Sequence, residues 1–164
     1  MVQSALIATL LLSLLVSGCS PGEEDLRRMI HDEIIRSQTR AVFDPVETIG
    51  PYSPAVRAGG YIFVSGQIGI DQETGNLVTG GIEDETRRAL ENLMLVLRSA
   101  GYDSSHVVST TVFLRRMEDY PLMNQIYGGY FEEKNYPART AVSVVDLPRG
   151  ASVEITAVAF KQTD

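Results

Sequence analysis

The segment NYPARTAVSVV, Asn135 to Val145, sets one arginine, Arg139, two residues after Pro137 at the mouth of a strand-like run. A guanidinium is a planar fork of N–H donors that matches a carboxylate, so an arginine placed this way can hold an anion in two parallel hydrogen bonds. Fifteen residues further on, SVEITAVAF carries Glu154, a carboxyl group able to take and return a proton. Two readings stay open on these residues alone. One is a cross-strand ion pair between Arg139 and Glu154, of the kind common on sheet surfaces. The other is an anion clamp beside a general acid–base. His31 sits among charges and reads as exposed, whereas His106 opens an apolar strand and reads as structural. Two histidines so far apart, with no cysteine partner, argue against a zinc site.

Positioning an arginine and a glutamate on neighbouring strands needs a sheet, and the chain from Thr39 onward is punctuated like one. Ala41 to Phe43 forms a short first strand, and GPYSP, Gly50 to Pro54, is a loop stiffened by two prolines. Ala55 to Arg57 and Tyr61 to Ser65 flank Ala58-Gly59-Gly60, which suits a hairpin. The β-rich run YIFVSGQIGI is broken by Gly66 and Gly69, as at a bulge or where a ligand nears the backbone. Gly81 to Ala100 is the main helix, with Leu90, Leu93 and Leu97 on one face, acids in its first turn and Gly101 to end it. Val107 to Leu114 is a strand. A second helix runs from about Asp119, with Pro121 in its first turn, to about Phe131, weakened by Gly128-Gly129. Thr140 to Val145 and Ala151 to Phe160 complete the sheet.

Two helices cover one face of such a sheet. In the last strand Val153, Ile155, Ala157 and Ala159 point one way and Glu154, Thr156, Val158 and Phe160 the other. The second face is therefore partly apolar with no helix left to cover it, which predicts burial against other copies of the chain.

With 164 residues, 44% hydrophobic and 21% charged, the chain is sized for one domain. A net charge of -7 opposes a nucleic-acid partner, and beyond residue 39 only Arg87-Arg88 and Arg115-Arg116 form arginine pairs. Ala5 to Val16 is an uncharged apolar run, short for a membrane span and right for a signal segment. It leads into LVSGC, and small residues before the lone cysteine, Cys19, resemble the lipobox of bacterial lipoproteins, in which that cysteine is acylated. Residues 1–18 are then a signal peptide and 19–38 a tether or amphipathic helix with a narrow apolar stripe at Leu26, Met29, Ile30 and Ile34. This places the domain on a bacterial membrane, facing the periplasm or cell exterior. The opening residues MVQS carry no Lys or Arg, a departure that an uncleaved anchor would accommodate.

The ordered blocks IGPYSPAV, FVSGQIG, VTGG, VVSTTVFL, MNQIYGGYF, YPARTAVSV and LPRGASVEITAVA resemble the successive motifs of the RidA (YjgF) family of reactive imine and enamine deaminases. The likeness spans Thr39 to Phe160, within a domain of residues 39–164. It implies an α+β, chorismate-mutase-like fold: a mixed sheet with two helices on one face, assembled as a homotrimer with a cleft at each subunit interface. It also implies roles. Arg139 matches the arginine of the PAR motif that grips the substrate carboxylate, and Glu154 the glutamate that handles water and protons. Tyr52 matches the tyrosine of GPY, and Ser65 and Gly66 line the pocket by hydroxyl and backbone. A cysteine that some members carry beside the arginine is absent, so Thr140 or Ala141 contributes backbone contacts only. The family's EIEA reads EITA, with Thr156 replacing an acid.

The activity so implied is hydrolysis of short 2-imino acids, such as 2-iminopropanoate and 2-iminobutanoate, to 2-oxo acids and ammonia, with no metal or cofactor. The alternative is a non-catalytic module for small carboxylates tethered to a membrane. An RNA-cleaving role, ascribed to some relatives, is opposed by the acidic charge.

Overall fold

The structure is a computed structural model that describes residues 22–37, 41–46, 48 and 50–162. The expected signal segment and Cys19 lie outside the described residues, as does part of the tether. The elements run α1 (Glu23–Ser37), β1 (Ala41–Phe43), β2 (Ala55–Ala58), β3 (Tyr61–Ile68), α2 (Ile82–Ser99), β4 (Val107–Leu114), α3 (Tyr120–Gly128), β5 (Ala138–Ser143) and β6 (Val153–Phe160). The strands form one sheet in the order β1-β2-β3-β6-β4-β5. Every neighbouring pair is antiparallel except β4 and β5, whose parallel pairing requires the crossover through α3.

Helix α2 forms because its apolar residues fall on one stripe and its ends are complemented. Thr86, Ala89, Leu90, Leu93, Val96 and Leu97 are buried, while Glu83, Asp84 and Glu85 occupy the positive first turn. It stops at Gly101, whose φ of +81° suits a glycine; Gly101 N–H donates to Arg98 O (3.0 Å) and Tyr102 N–H to Leu97 O (2.9 Å). Leu90, Leu93 and Leu97 are fully buried against Ile62, Val112 and Ile155 of the sheet in one cluster. Truncating one such leucine to alanine costs about 2–5 kcal/mol.

Strand β6 alternates strictly. Val153, Ile155, Ala157 and Ala159 are buried under the helices, and Glu154, Thr156, Val158 and Phe160 face the other way. On that uncovered face Val42, Phe63 and Phe160 are 50%, 49% and 40% exposed, and Tyr61 packs on Phe160 with ring centroids 4.8 Å apart. The two-faced apolar sheet expected from the sequence is therefore present.

Several boundaries differ from expectation, among them the end of β3, which runs on from Ser65 to Ile68, and that of β5, which stops at Ser143 and not Val145. Helix α3 ends at Gly128, not Phe131, because the chain tightens through bonds from Gly129 N–H to Ile126 O and from Tyr130 N–H to Tyr127 O (both 3.1 Å). Strand β5 begins at Ala138, two residues early. Strand β6 begins at Val153 because Pro148–Gly150 form a 3-10 turn, with Arg149 at φ +57°. The Asp119 side chain does not cap α3; it is held by Arg116, Nε at 3.2 Å and Nη2 at 3.0 Å.

Candidate active site

The site is built around an irregularity in β3. Between Val64 and Gln67 the register against β6 shifts, so β3 spends an extra residue at Ser65-Gly66. The proline-stiffened loop holds the bulge from behind: Ser65 N–H donates to Pro54 O (2.9 Å) and Ser65 Oγ to Ser53 O (2.7 Å). Gln67 Nε2 closes back on Ser65 O at 3.1 Å, and Thr156 Oγ1 donates to Val64 O at 2.5 Å. Thr156, where the resembled motif EIEA has an acid, thus supplies a donor that a carboxylate lacks.

Gly66 makes room for Glu154. A Cβ on residue 66 would lie 2.6 Å from the Glu154 carboxyl carbon and 2.9 Å from its Cγ, so only glycine lets the carboxyl rest against the backbone there. Burial raises the Glu154 pKa above its ordinary value, and no neighbouring cation offsets that shift. The carboxyl therefore keeps its proton closer to neutrality than a surface glutamate does. Its strand is fixed at the start by Glu85 of α2, which accepts from Ser152 N–H (2.6 Å) and Ser152 Oγ (2.8 Å).

A pocket of about 310 Å³ opens at this point, lined by Tyr52, Ser65, Gly66 and Glu154 together with Gln67, Asn92 and the apolar Val46, Ile68 and Ile70. That volume suits a small molecule. Of the residues singled out from sequence, Tyr52, Ser65, Gly66 and Glu154 share this pocket. Gln67 and Asn92 were not anticipated. Asn92 is buried in α2 and donates from Nδ2 to Ile68 O (3.1 Å) and Ile70 O (2.9 Å), tying the helix to the pocket wall. Its signal was an amide next to Leu93 inside the apolar stripe of the main helix.

Arg139 is elsewhere. In β5 it stands in register with Thr110 of β4, on the helix-covered face of the sheet, whereas Glu154 is in register with Phe113 and Ile68 on the open face. No ion pair joins Arg139 to Glu154 among the described residues, so the cross-strand salt-bridge reading fails. Arg139 Nη2 donates instead to Tyr120 Oη (3.1 Å) and Asn124 Oδ1 (2.6 Å) of α3. Thr140 is exposed on the open face, and Ala141 packs against the core beneath the helices. Neither Thr140 nor Ala141 lines the Glu154 pocket within one chain. His106 is structural as expected: it pairs with Asp103 in a capping box, Nδ1 to Oδ1 2.9 Å.

This architecture has known relatives. Residues 44–161 match the family model described as Endoribonuclease L-PSP. The human 2-iminobutanoate/2-iminopropanoate deaminase is 47% identical over 113 residues, 69% of this chain and 82% of the human one. A RutC family protein of Pyrococcus horikoshii is 47% identical over 114 residues, 70% of this chain and 90% of that protein. Among solved structures, E. coli TdcF with bound serine superposes with a TM-score of 0.70 at 31% identity, covering 74% of this chain and 99% of that one.

Proposed function

The chain belongs to the Endoribonuclease L-PSP family, which includes the RidA (YjgF) proteins, and from that premise we propose that it hydrolyses small 2-imino acids to 2-oxo acids and ammonia. The observation that carries the proposal is the Glu154 carboxyl, half-buried against Gly66 with its pKa raised by burial and no cation beside it. A surface glutamate is ionised at neutral pH and poor at giving a proton; a raised one can serve as both acid and base.

In this reading the substrate carboxylate is held by Arg139 of one subunit, reaching into the Glu154 pocket of its neighbour within a homotrimer. The exposed apolar face supports such an assembly. Water attacks the imine carbon as Glu154 removes its proton and hands a proton to the imine nitrogen, giving a carbinolamine. Glu154 then takes the hydroxyl proton and returns one to the amine; the C–N bond breaks, and ammonia leaves with the carbonyl formed. Each cycle restores the carboxylate. Ser65 and the Gly66 backbone border the reacting centre, and Tyr52 forms a wall. Holding an already labile imine in one orientation beside the proton carrier supplies most of the acceleration.

The named activity of the human relative points the same way, and serine in the E. coli structure shows that a relative takes a small amino acid. Nuclease action finds less support, since a net charge of -7 repels a polyanion. The test is ammonia release from 2-iminobutanoate generated in situ by the purified protein. Turnover that survives both Arg139→Ala and Glu154→Gln removes the proposal. Binding of 2-oxobutanoate without any turnover replaces it with a carboxylate-binding module. Lipid attachment at Cys19, holding the domain at a membrane, belongs to the same proposal; a native N-terminus whose mass lacks an acyl group removes that part.

A further inference from the structure

The surroundings of Arg139 form a closed circuit that the proposed chemistry does not by itself require. The guanidinium carbon lies 4.5 Å from the centroid of the Tyr127 ring. Tyr127 is 3% exposed, and its phenol is 2.7 Å from Thr110 Oγ1, itself buried. Thr110 is the residue paired with Arg139 across β4 and β5. The strand that carries Arg139 is thus tied, through its neighbour's hydroxyl and one aromatic ring, to the flat face of Arg139's own guanidinium. Tyr120 and Asn124 then fix the rotation about that face, because both accept from Nη2. Among the described residues Nε and Nη1 have no acceptor and remain for a ligand.

We propose that Tyr127, anchored by Thr110, is the positioning residue for Arg139, and that it holds the guanidinium in a preset plane for the ligand carboxylate. The inference rests on the reading of Arg139 as the anion clamp. A free arginine side chain loses much rotamer freedom when a ligand orders it, and a guanidinium already stacked on a ring and bonded at one nitrogen has lost it beforehand. Both edges of a guanidinium that offer two parallel bonds include Nη2, so a carboxylate gripped in this way takes the place of Tyr120 or Asn124 at that nitrogen while the ring keeps the plane.

The experiment is calorimetry with 2-oxobutanoate on the full-length protein, beside steady-state kinetics. Tyr127→Phe keeps the ring and retains affinity within about threefold, whereas Tyr127→Leu removes it and weakens binding about tenfold. The Tyr127→Leu loss appears in KM with kcat little changed, as expected when ground state and transition state share the lost contact. A folded Tyr127→Leu protein that binds 2-oxobutanoate like the parent overturns the inference. If Arg139→Ala also binds like the parent, the anchor reading falls with it; if Arg139→Ala alone has lost binding, only the role of Tyr127 falls. Should Tyr127→Leu not fold, the Arg139 Nε–H resonance of the unsubstituted protein decides. A signal displaced by ring current and slow to exchange supports the stack, and one at the position of a freely rotating arginine overturns it.

Discussion

Arg139 and Glu154 stand on opposite faces of one sheet, with β4 between the strands that carry them. Neither side chain can reach the other through its own sheet. A pocket needing both must take each from a different copy of the chain.

Mixing tests this division of labour. Arg139→Ala and Glu154→Gln proteins are each expected to be inactive, since each lacks one half of every site. Co-refolded, they regain imine hydrolysis at interfaces where an intact Arg139 meets an intact Glu154. Continued silence of the mixture, with mixed oligomers demonstrated by mass spectrometry, would falsify the shared site.

Gly66→Ala asks how tightly the carboxyl is placed. The added methyl occupies the space of the Glu154 carboxyl and must push it aside. Displacement of a catalytic group by about 1 Å costs on the order of 100-fold in rate. Turnover should fall by that order while the melting temperature changes little, because the displaced group is the end of a flexible side chain. Full activity in a folded Gly66→Ala protein would show that the contact is incidental.

Glu154 also leaves a mark on stability against pH. Its folded pKa is raised, so the folded state holds the proton to higher pH than the unfolded chain does. Below the ordinary glutamate value both states are protonated and the difference vanishes. As pH climbs through the interval up to the raised value, folding becomes less favourable. Glu154→Gln should therefore melt higher than the parent at pH 7 and together with it in strong acid. Equal melting at both pH values would mean that the carboxyl is not desolvated in solution.

The uncovered face makes its own demand. Phe63 and Phe160 lie half in water on the chain alone. Phe63→Asp puts a charge where the proposed neighbour packs and is expected to yield monomers in sedimentation velocity, with activity lost alongside. An assembly that tolerates the aspartate uses some other surface.

Much of this architecture was legible in the sequence for simple reasons. Helix α2 announces itself through Leu90, Leu93, Leu97 and a terminal glycine, and β6 through an alternation without error. The pocket residues Ser65 and Gly66 stood out because a glycine inside a β-rich run needs a cause. What stayed hidden was direction. In ARTAVS neither face is uniformly polar, so alternation could not say that Arg139 and Ala141 point to the helices while Thr140 points away. The partners of Arg139 were hidden for a related reason. Tyr120, Asn124 and Tyr127 recur at helical spacing, but which strand residue they meet follows only from the parallel pairing of β4 and β5.

The sheet order has a last consequence, for how the two halves of the site breathe. Glu154 rides a strand flanked on both sides, by β3 and β4, whereas Arg139 rides the outermost strand, bonded along one edge only. Amide protons of the inner strand should trade with heavy water only in rare, large openings, and those of the rim in frequent, small ones. In an isolated chain Glu154 is thus set in the slowest-exchanging layer, while Arg139 sits on a margin that the proposed neighbouring copy would quiet.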